Sequence, residues 1–144
     1  MMTQLIVGLA LMAACVVIHA AGLASAVRRL RRRPLGALQF WGLCGAFIRL
    51  AGWMVLLHLG EIAAWGLFYG WRGAMADMTS ALYFSAVTYT TTGYGDLLLP
   101  AQWRVVGAVE ALTGILMCGW STGFFFAVVS RVLDARARPP VATS

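Results

Sequence analysis

Apolar residues fill three long stretches of this chain, and the strongly polar positions are confined to short intervals between them. Leu5 to Val27 is a run of 23 residues broken only by His19 and small polar groups. At 1.5 Å per residue, such a run forms a helix long enough to span about 30 Å of hydrocarbon. A second run covers roughly Leu43 to Phe68 and a third about Arg104 to Val132. Between them, Gly70 to Met78 reads as a loop, and Thr79 or Ser80 is placed to cap a helix over about 80–89. At about ten residues that helix cannot cross a bilayer; it can only enter and re-emerge. Pro100 then blocks helix continuation before the third run begins. The pattern predicts an all-α membrane protein with three transmembrane helices and one re-entrant helix.

Composition supports a bilayer rather than water. The 144-residue chain is 61% hydrophobic and 11% charged, against roughly 25% charged residues in soluble domains. The net charge of +6 could suggest a nucleic-acid partner, but the positions of the arginines point elsewhere. Eight of the eleven lie in Arg28–Arg33 and Arg131–Arg138, each segment directly after an apolar run. Such clusters anchor cytoplasmic loops and set topology, which places Met1 outside and the C-terminus in the cytoplasm. A cleaved signal peptide would carry its positive charge before the apolar stretch, so the first helix is expected to be retained. Arg28, Arg29, Arg31, Arg32 and Arg33 are contiguous and juxtamembrane, whereas a voltage sensor spaces its arginines along an apolar helix. They suit contact with anionic lipid.

Pro34 to about Gly42 reads as a short cytoplasmic connection or interfacial helix with Phe40 and Trp41 at the headgroups. Trp65, Tyr69 and Trp71 form an aromatic belt at the opposite end of the second span. The absence of lysine fits a GC-rich genome, and a bacterial inner membrane is the expected location. Cys15, Cys44 and Cys118 have neither paired nor metal-ligand spacing. No nucleophile–base pair or phosphate loop is recognisable, so no enzymatic activity and no cofactor beyond bound ions are expected.

Residues 90 to 96 read Thr-Thr-Thr-Gly-Tyr-Gly-Asp. Glycine adopts left-handed backbone angles at little steric cost. Gly93 and Gly95 therefore allow the alternation of ordinary and left-handed residues that turns successive carbonyls toward one axis. Thr91-Thr92-Gly93-Tyr94-Gly95 resembles the selectivity filter of potassium channels. The order of outer helix (about 43–68), pore helix (about 80–89), filter (91–95) and inner helix (about 104–132) is similar to the pore module of the tetrameric potassium channel family. Ala81 to Thr90 occupies the pore-helix position, and Trp103 matches the tryptophan that opens many inner helices. The resemblance covers about 90 of the 144 residues. Residues 1–33, an additional helix with its basic anchor, have no counterpart in minimal two-span members. Residues 34–132 form the pore module, and 133–144 a short cytoplasmic tail.

The resemblance implies a homotetramer that conducts K+ passively and selectively. Ion sites would be formed by the backbone carbonyls of Thr91, Thr92, Gly93 and Tyr94, with the Thr91 hydroxyl below them. A weakly selective Na+/K+ channel and a non-conducting or transporter subunit are the alternatives. Three departures from the family pattern surround the filter. Thr92 stands where valine or isoleucine is usual, so its hydroxyl needs a partner. Phe84 replaces a frequent tryptophan and is expected to pack near Tyr94. Val87 occupies a position where some members carry a glutamate that pairs with the aspartate after the filter. Asp96 then needs another donor, and Tyr83 is the candidate; Thr90 completes the supporting set.

Glu61, Glu110 and His58 lie within the spans, where ionisable groups are costly and often functional. Glu61 is expected to reach water or Arg72 from the outer part of its helix. His58, three residues earlier, shares its face, as a packed histidine or half of a pH-sensitive pair. Glu110, less than two turns from Arg104, is expected behind the filter, supporting the loop by hydrogen bonding. Gly114, Gly119 and Gly123 permit close helix packing, and Gly114 resembles the mid-helix hinge glycines of the family. Twelve residues follow Val132, too few for a regulatory domain, so a gating ligand is expected to be lipid, protons or another chain.

Overall fold

The structure, a computed structural model, describes residues 2–31 and 38–137. Four helices account for most of these: α1 (Met2–Arg31), α2 (Phe40–Trp71), α3 (Met78–Tyr89) and α4 (Arg104–Ala137). Ala101–Trp103 forms a 3-10 turn leading into α4. The α1 and α2 helices, and α4 with its leading turn, are each long and apolar enough to cross a membrane. At 12 residues, α3 measures about 18 Å, well short of the hydrocarbon thickness.

Helix ends differ from the sequence expectation for local reasons. Phe40 and Trp41 are the first residues of α2 itself, both largely exposed, rather than part of a separate interfacial helix. The rest of that expected connection, residues 34–37, lies outside the described residues, as do Arg32, Arg33 and residues 138–144. The α2 helix also runs three residues past Phe68, because nothing in Tyr69-Gly70-Trp71 stops it. The N-cap of α3 is Asp77, not Thr79 or Ser80. Its carboxylate accepts from the Ser80 backbone N–H at 2.8 Å and from the Ser80 hydroxyl at 2.9 Å. Aspartate one turn before a free N–H is a strong cap, and that N–H lowers the Asp77 pKa below its ordinary value. The α4 helix continues to Ala137, since no helix breaker occurs before Pro139.

The contacts fix the directions of the helices. Gly8 of α1 lies against Val109 and His19 against Ser121, so α1 and α4 run parallel. His19 also meets Glu61 while Gly22 meets Leu57, so α1 and α2 are antiparallel. Gly22 is needed for this approach, because a Cβ there would overlap the Leu57 side chain. The Trp53 indole N–H donates to the Gly22 carbonyl at 3.0 Å, and Arg29 lies 4.8 Å over the Trp53 ring. Arg136 donates to the Leu38 carbonyl, bringing the end of α4 to the start of α2. The arginine-bearing ends of α1 and α4 therefore lie together, with α3 and the following loop at the other end. The main core, which includes Trp65, Tyr69, Phe84, Tyr89, Trp103 and Val106, encloses α3 between α2 and α4.

Candidate functional site

Residues 90 to 96 leave the C-terminal end of α3 as a loop that is exposed throughout in a single chain. The loop's own N–H groups close the last turn of the helix. Thr90 N–H donates to the Ala86 carbonyl, Thr91 N–H to Thr88 and Gly93 N–H to Val87, at 2.9 to 3.2 Å. These bonds satisfy carbonyls that a helix end leaves unpaired. Thr91, Gly93 and Gly95 have φ of 58°, 53° and 78°, while Thr92 and Tyr94 keep negative φ. The backbone therefore alternates in hand through the segment. The two glycines were legible as left-handed positions, but Thr91 was not, because a side chain there costs roughly 1–2 kcal/mol. The available signal was the two-residue period set by Gly93 and Gly95.

The shell around this loop is polar at the mouth. Tyr83 donates to the Asp96 carboxylate at 2.8 Å, filling the role for which the sequence suggested it. That bond raises the phenol's pKa above its ordinary value. The Thr92 hydroxyl pairs with the Thr90 hydroxyl at 2.9 Å, and Thr90 in turn bonds the Ala86 carbonyl at 2.7 Å. Val87 is partly buried. Phe84 differs from expectation: it packs edge-on against Tyr69, with centroids 5.5 Å apart, whereas Tyr94 is 71% exposed. Tyr69 fills the space behind α3 and takes the contact with Phe84, and among the described residues Tyr94 has no aromatic partner.

Behind α3 lie two buried carboxylates, both 0% exposed. Glu110 accepts from the Tyr69 hydroxyl at 2.8 Å and lies 2.5 Å from the Ser85 hydroxyl, which is itself 2.8 Å from the Ile62 carbonyl. Ser85 has only one hydrogen. Both of its contacts are hydrogen bonds at once if Glu110 carries a proton and donates it to Ser85, which then donates to Ile62. Glu110 thus braces the middle of α3 rather than the loop that follows it. Gly114 lies beside the end of α3, where a Cβ would overlap the Tyr89 carbonyl, and α4 is continuous through it. Gly119 and Gly123 have no neighbouring atom within 4 Å of a Cβ position.

Glu61 corrects a sequence expectation. It reaches neither water nor Arg72, which instead lies over the rings of Trp103 and Trp71. The Glu61 carboxylate takes part in a closed ring of contacts that joins all four helices. Oε1 lies 2.9 Å from Nδ1 of His19, and His19 Nε2 lies 3.1 Å from the Ser121 hydroxyl. The Ser121 hydroxyl lies 3.1 Å from Nε2 of His58, whose Nδ1 lies 3.1 Å from the Tyr89 hydroxyl. Tyr89 closes the ring by donating to Oε2 of Glu61. Sequence reasoning found His58 and Glu61 but missed His19, Tyr89 and Ser121 as their partners, and Tyr69 and Ser85 as partners of Glu110. The signal for His19 was its place in an otherwise apolar span, where a buried polar group needs a partner on a neighbouring helix.

Comparison with known proteins agrees with this architecture. A family model described as "ion channel" matches residues 53–131, more than half of the chain. No curated protein and no solved structure matches it.

Proposed function

Because the chain belongs to the ion-channel family, we propose that four copies form a potassium-selective channel around residues 91–95. The observation that carries this reading is the alternation in backbone hand at Thr91, Gly93 and Gly95, directly after a short helix buried on its rear face. In the proposed assembly the carbonyls of Thr91, Thr92, Gly93 and Tyr94, with the Thr91 hydroxyl, form stacked rings that replace the water shell of K+. Neutral oxygens suit this task, because each site must bind strongly enough to strip water and weakly enough to release the ion. Irregular backbone at membrane depth is tolerated where it lines a water-filled path. One chain supplies one loop, so a closed ring requires cyclic symmetry. The exposure of the whole segment and of Tyr94 supports burial against other copies. The alignment of the arginine-bearing ends supports a cytoplasmic face there and an outer filter mouth.

Potassium flux from proteoliposomes tests the reading. Gly93 has open space around its Cβ position but a φ of 53°, so Gly93→Ala introduces backbone strain without a clash. Wild-type protein should release K+, and the variant should lose at least about 100-fold of that flux while eluting as the same oligomer. Undiminished flux in Gly93→Ala would remove these residues from the ion path.

A further inference from the structure

The ring around Glu61 has five links but too few hydrogens to fill them. With Glu61 ionised and both histidines neutral, His19, His58, Ser121 and Tyr89 supply one hydrogen each. One contact is then lone pair against lone pair, and a carboxylate with 0% exposure has no cation beside it. Among the described residues, no arginine pairs with Glu61. The ring is therefore short of one positive charge.

We propose that His19, His58 and Glu61 bind a divalent transition-metal ion of the zinc class, one per chain, fastening α1 to the pore module. Their ligand atoms all lie within 4.8 Å of one another. His19 Nδ1 lies 2.9 Å from Oε1 of Glu61 and His58 Nδ1 lies 3.6 Å from Oε2, against roughly 3.4 Å between ligands of a tetrahedral ion bonded at 2.0–2.2 Å. The longer of the two lies beyond a hydrogen bond, yet suits two atoms that share a metal. Two imidazoles and a carboxylate are a ligand set suited to zinc, and the Tyr89 oxygen, 3.1 Å from His58 Nδ1, is placed as the fourth ligand.

Ser121 is arranged to orient both histidines around such an ion. When each histidine binds the ion through Nδ1, each carries its hydrogen on Nε2. Both Nε2 atoms lie 3.1 Å from the Ser121 oxygen, whose two lone pairs accept both N–H groups. The Ser121 hydrogen is then free to turn toward its own helix. Every link is satisfied, with the metal-bound histidines oriented by hydrogen bonds from their far nitrogens. His58, with 17% of its side chain exposed, is the side from which the ion enters.

The test uses the full chain, purified through a tag without histidine, since His19 and His58 are its only two. After stripping with chelator and reloading with Zn2+, wild type should hold about one ion per chain with sub-micromolar affinity. Co2+ in its place should give the visible absorption of a tetrahedral site. His19→Asn and Glu61→Gln should each weaken Zn2+ binding at least about 100-fold, while Glu110→Gln retains it. Glu61→Gln is the safeguard against misfolding, because its amide supplies the missing fifth hydrogen and keeps the ring closed without a metal. Wild type that holds less than one ion per four chains, or His19→Asn that binds as wild type does, would overturn the site and leave a proton as the ring's cation. Metal content is read without conduction, so neither outcome depends on whether the filter passes K+.

Discussion

The two faces of α3 and its loop are built on opposite plans. On the rear face, Ser85 and Tyr89 are buried and hydrogen-bonded to Glu110 and Glu61, and Gly114 closes against the Tyr89 carbonyl. On the front, residues 90–96 are exposed, left-handed at every second position from Thr91 and held mostly by bonds to their own helix. A single chain therefore builds a complete wall and an incomplete path. The wall fixes where the loop starts, while in the proposed assembly the shape of an ion site made from the loop depends on neighbouring copies. Changes behind the helix should appear as lost stability, and changes in front as altered permeation.

The largest effect on stability is expected at the closest contact of the wall. Gly114→Ala puts a methyl group against a backbone carbonyl that cannot rotate away. Overpacking of this kind costs typically about 1–3 kcal/mol, occasionally more. The melting temperature in detergent should fall and K+ flux should fall with it, because the end of α3 is displaced. Normal stability would mean that α4 does not press on α3 in the assembled protein. Glu110 tests the same wall by its protons. Glu110→Ala leaves the Tyr69 hydroxyl without an acceptor, at about 1–3 kcal/mol for an unsatisfied group, while Ser85 keeps its bond to the Ile62 carbonyl. Glu110→Gln can accept from Tyr69 and donate to Ser85, so it should melt within a few degrees of wild type. Equal loss in both variants would show that Glu110 is ionised.

Smaller effects are expected at the mouth. Tyr83→Phe removes the bond to Asp96 and should change flux a few-fold at most, with little change in melting temperature. Its pH dependence has a defined sign. The phenol is the donor and its pKa is raised, so the contact is intact below the ordinary tyrosine value of about 10 and is lost only above it. Wild-type flux should therefore show no pH dependence from this pair between about pH 6 and 9, and an alkaline change that Tyr83→Phe lacks. The smallest effect is expected for Thr92→Val, which removes one hydroxyl while Thr90 keeps its bond to Ala86. Its permeability ratio for K+ over Na+ should stay within about threefold of wild type, whereas a collapse toward one would assign selectivity to the hydroxyl pair.

The spans, the short helix and the position of the loop were legible because each rests on local signals: apolar length, arginine placement and the spacing of two glycines. Tyr83 could be matched to Asp96 because Val87 left that carboxylate without its familiar partner. The rear wall was not legible in the same way. Glu61 reads as reaching water or Arg72 because a carboxylate in the outer part of a span can reach the interface. Its burial depends on His19, 42 positions away in the chain, and on a parallel packing of α1 with α4 that no periodicity announces. Phe84 is matched to Tyr94 by family position, but within the chain it packs against Tyr69. Thr91 was hidden because its left-handed backbone runs against its residue type.

The proposal that the front is completed by other copies into a potassium-selective path is tested most directly by the reversal potential of purified wild-type protein in a planar bilayer. With K+ on one side and Na+ on the other, the current should reverse close to the equilibrium potential for K+. Reversal near zero, with a permeability ratio near one, would contradict selectivity and leave a non-selective cation pore.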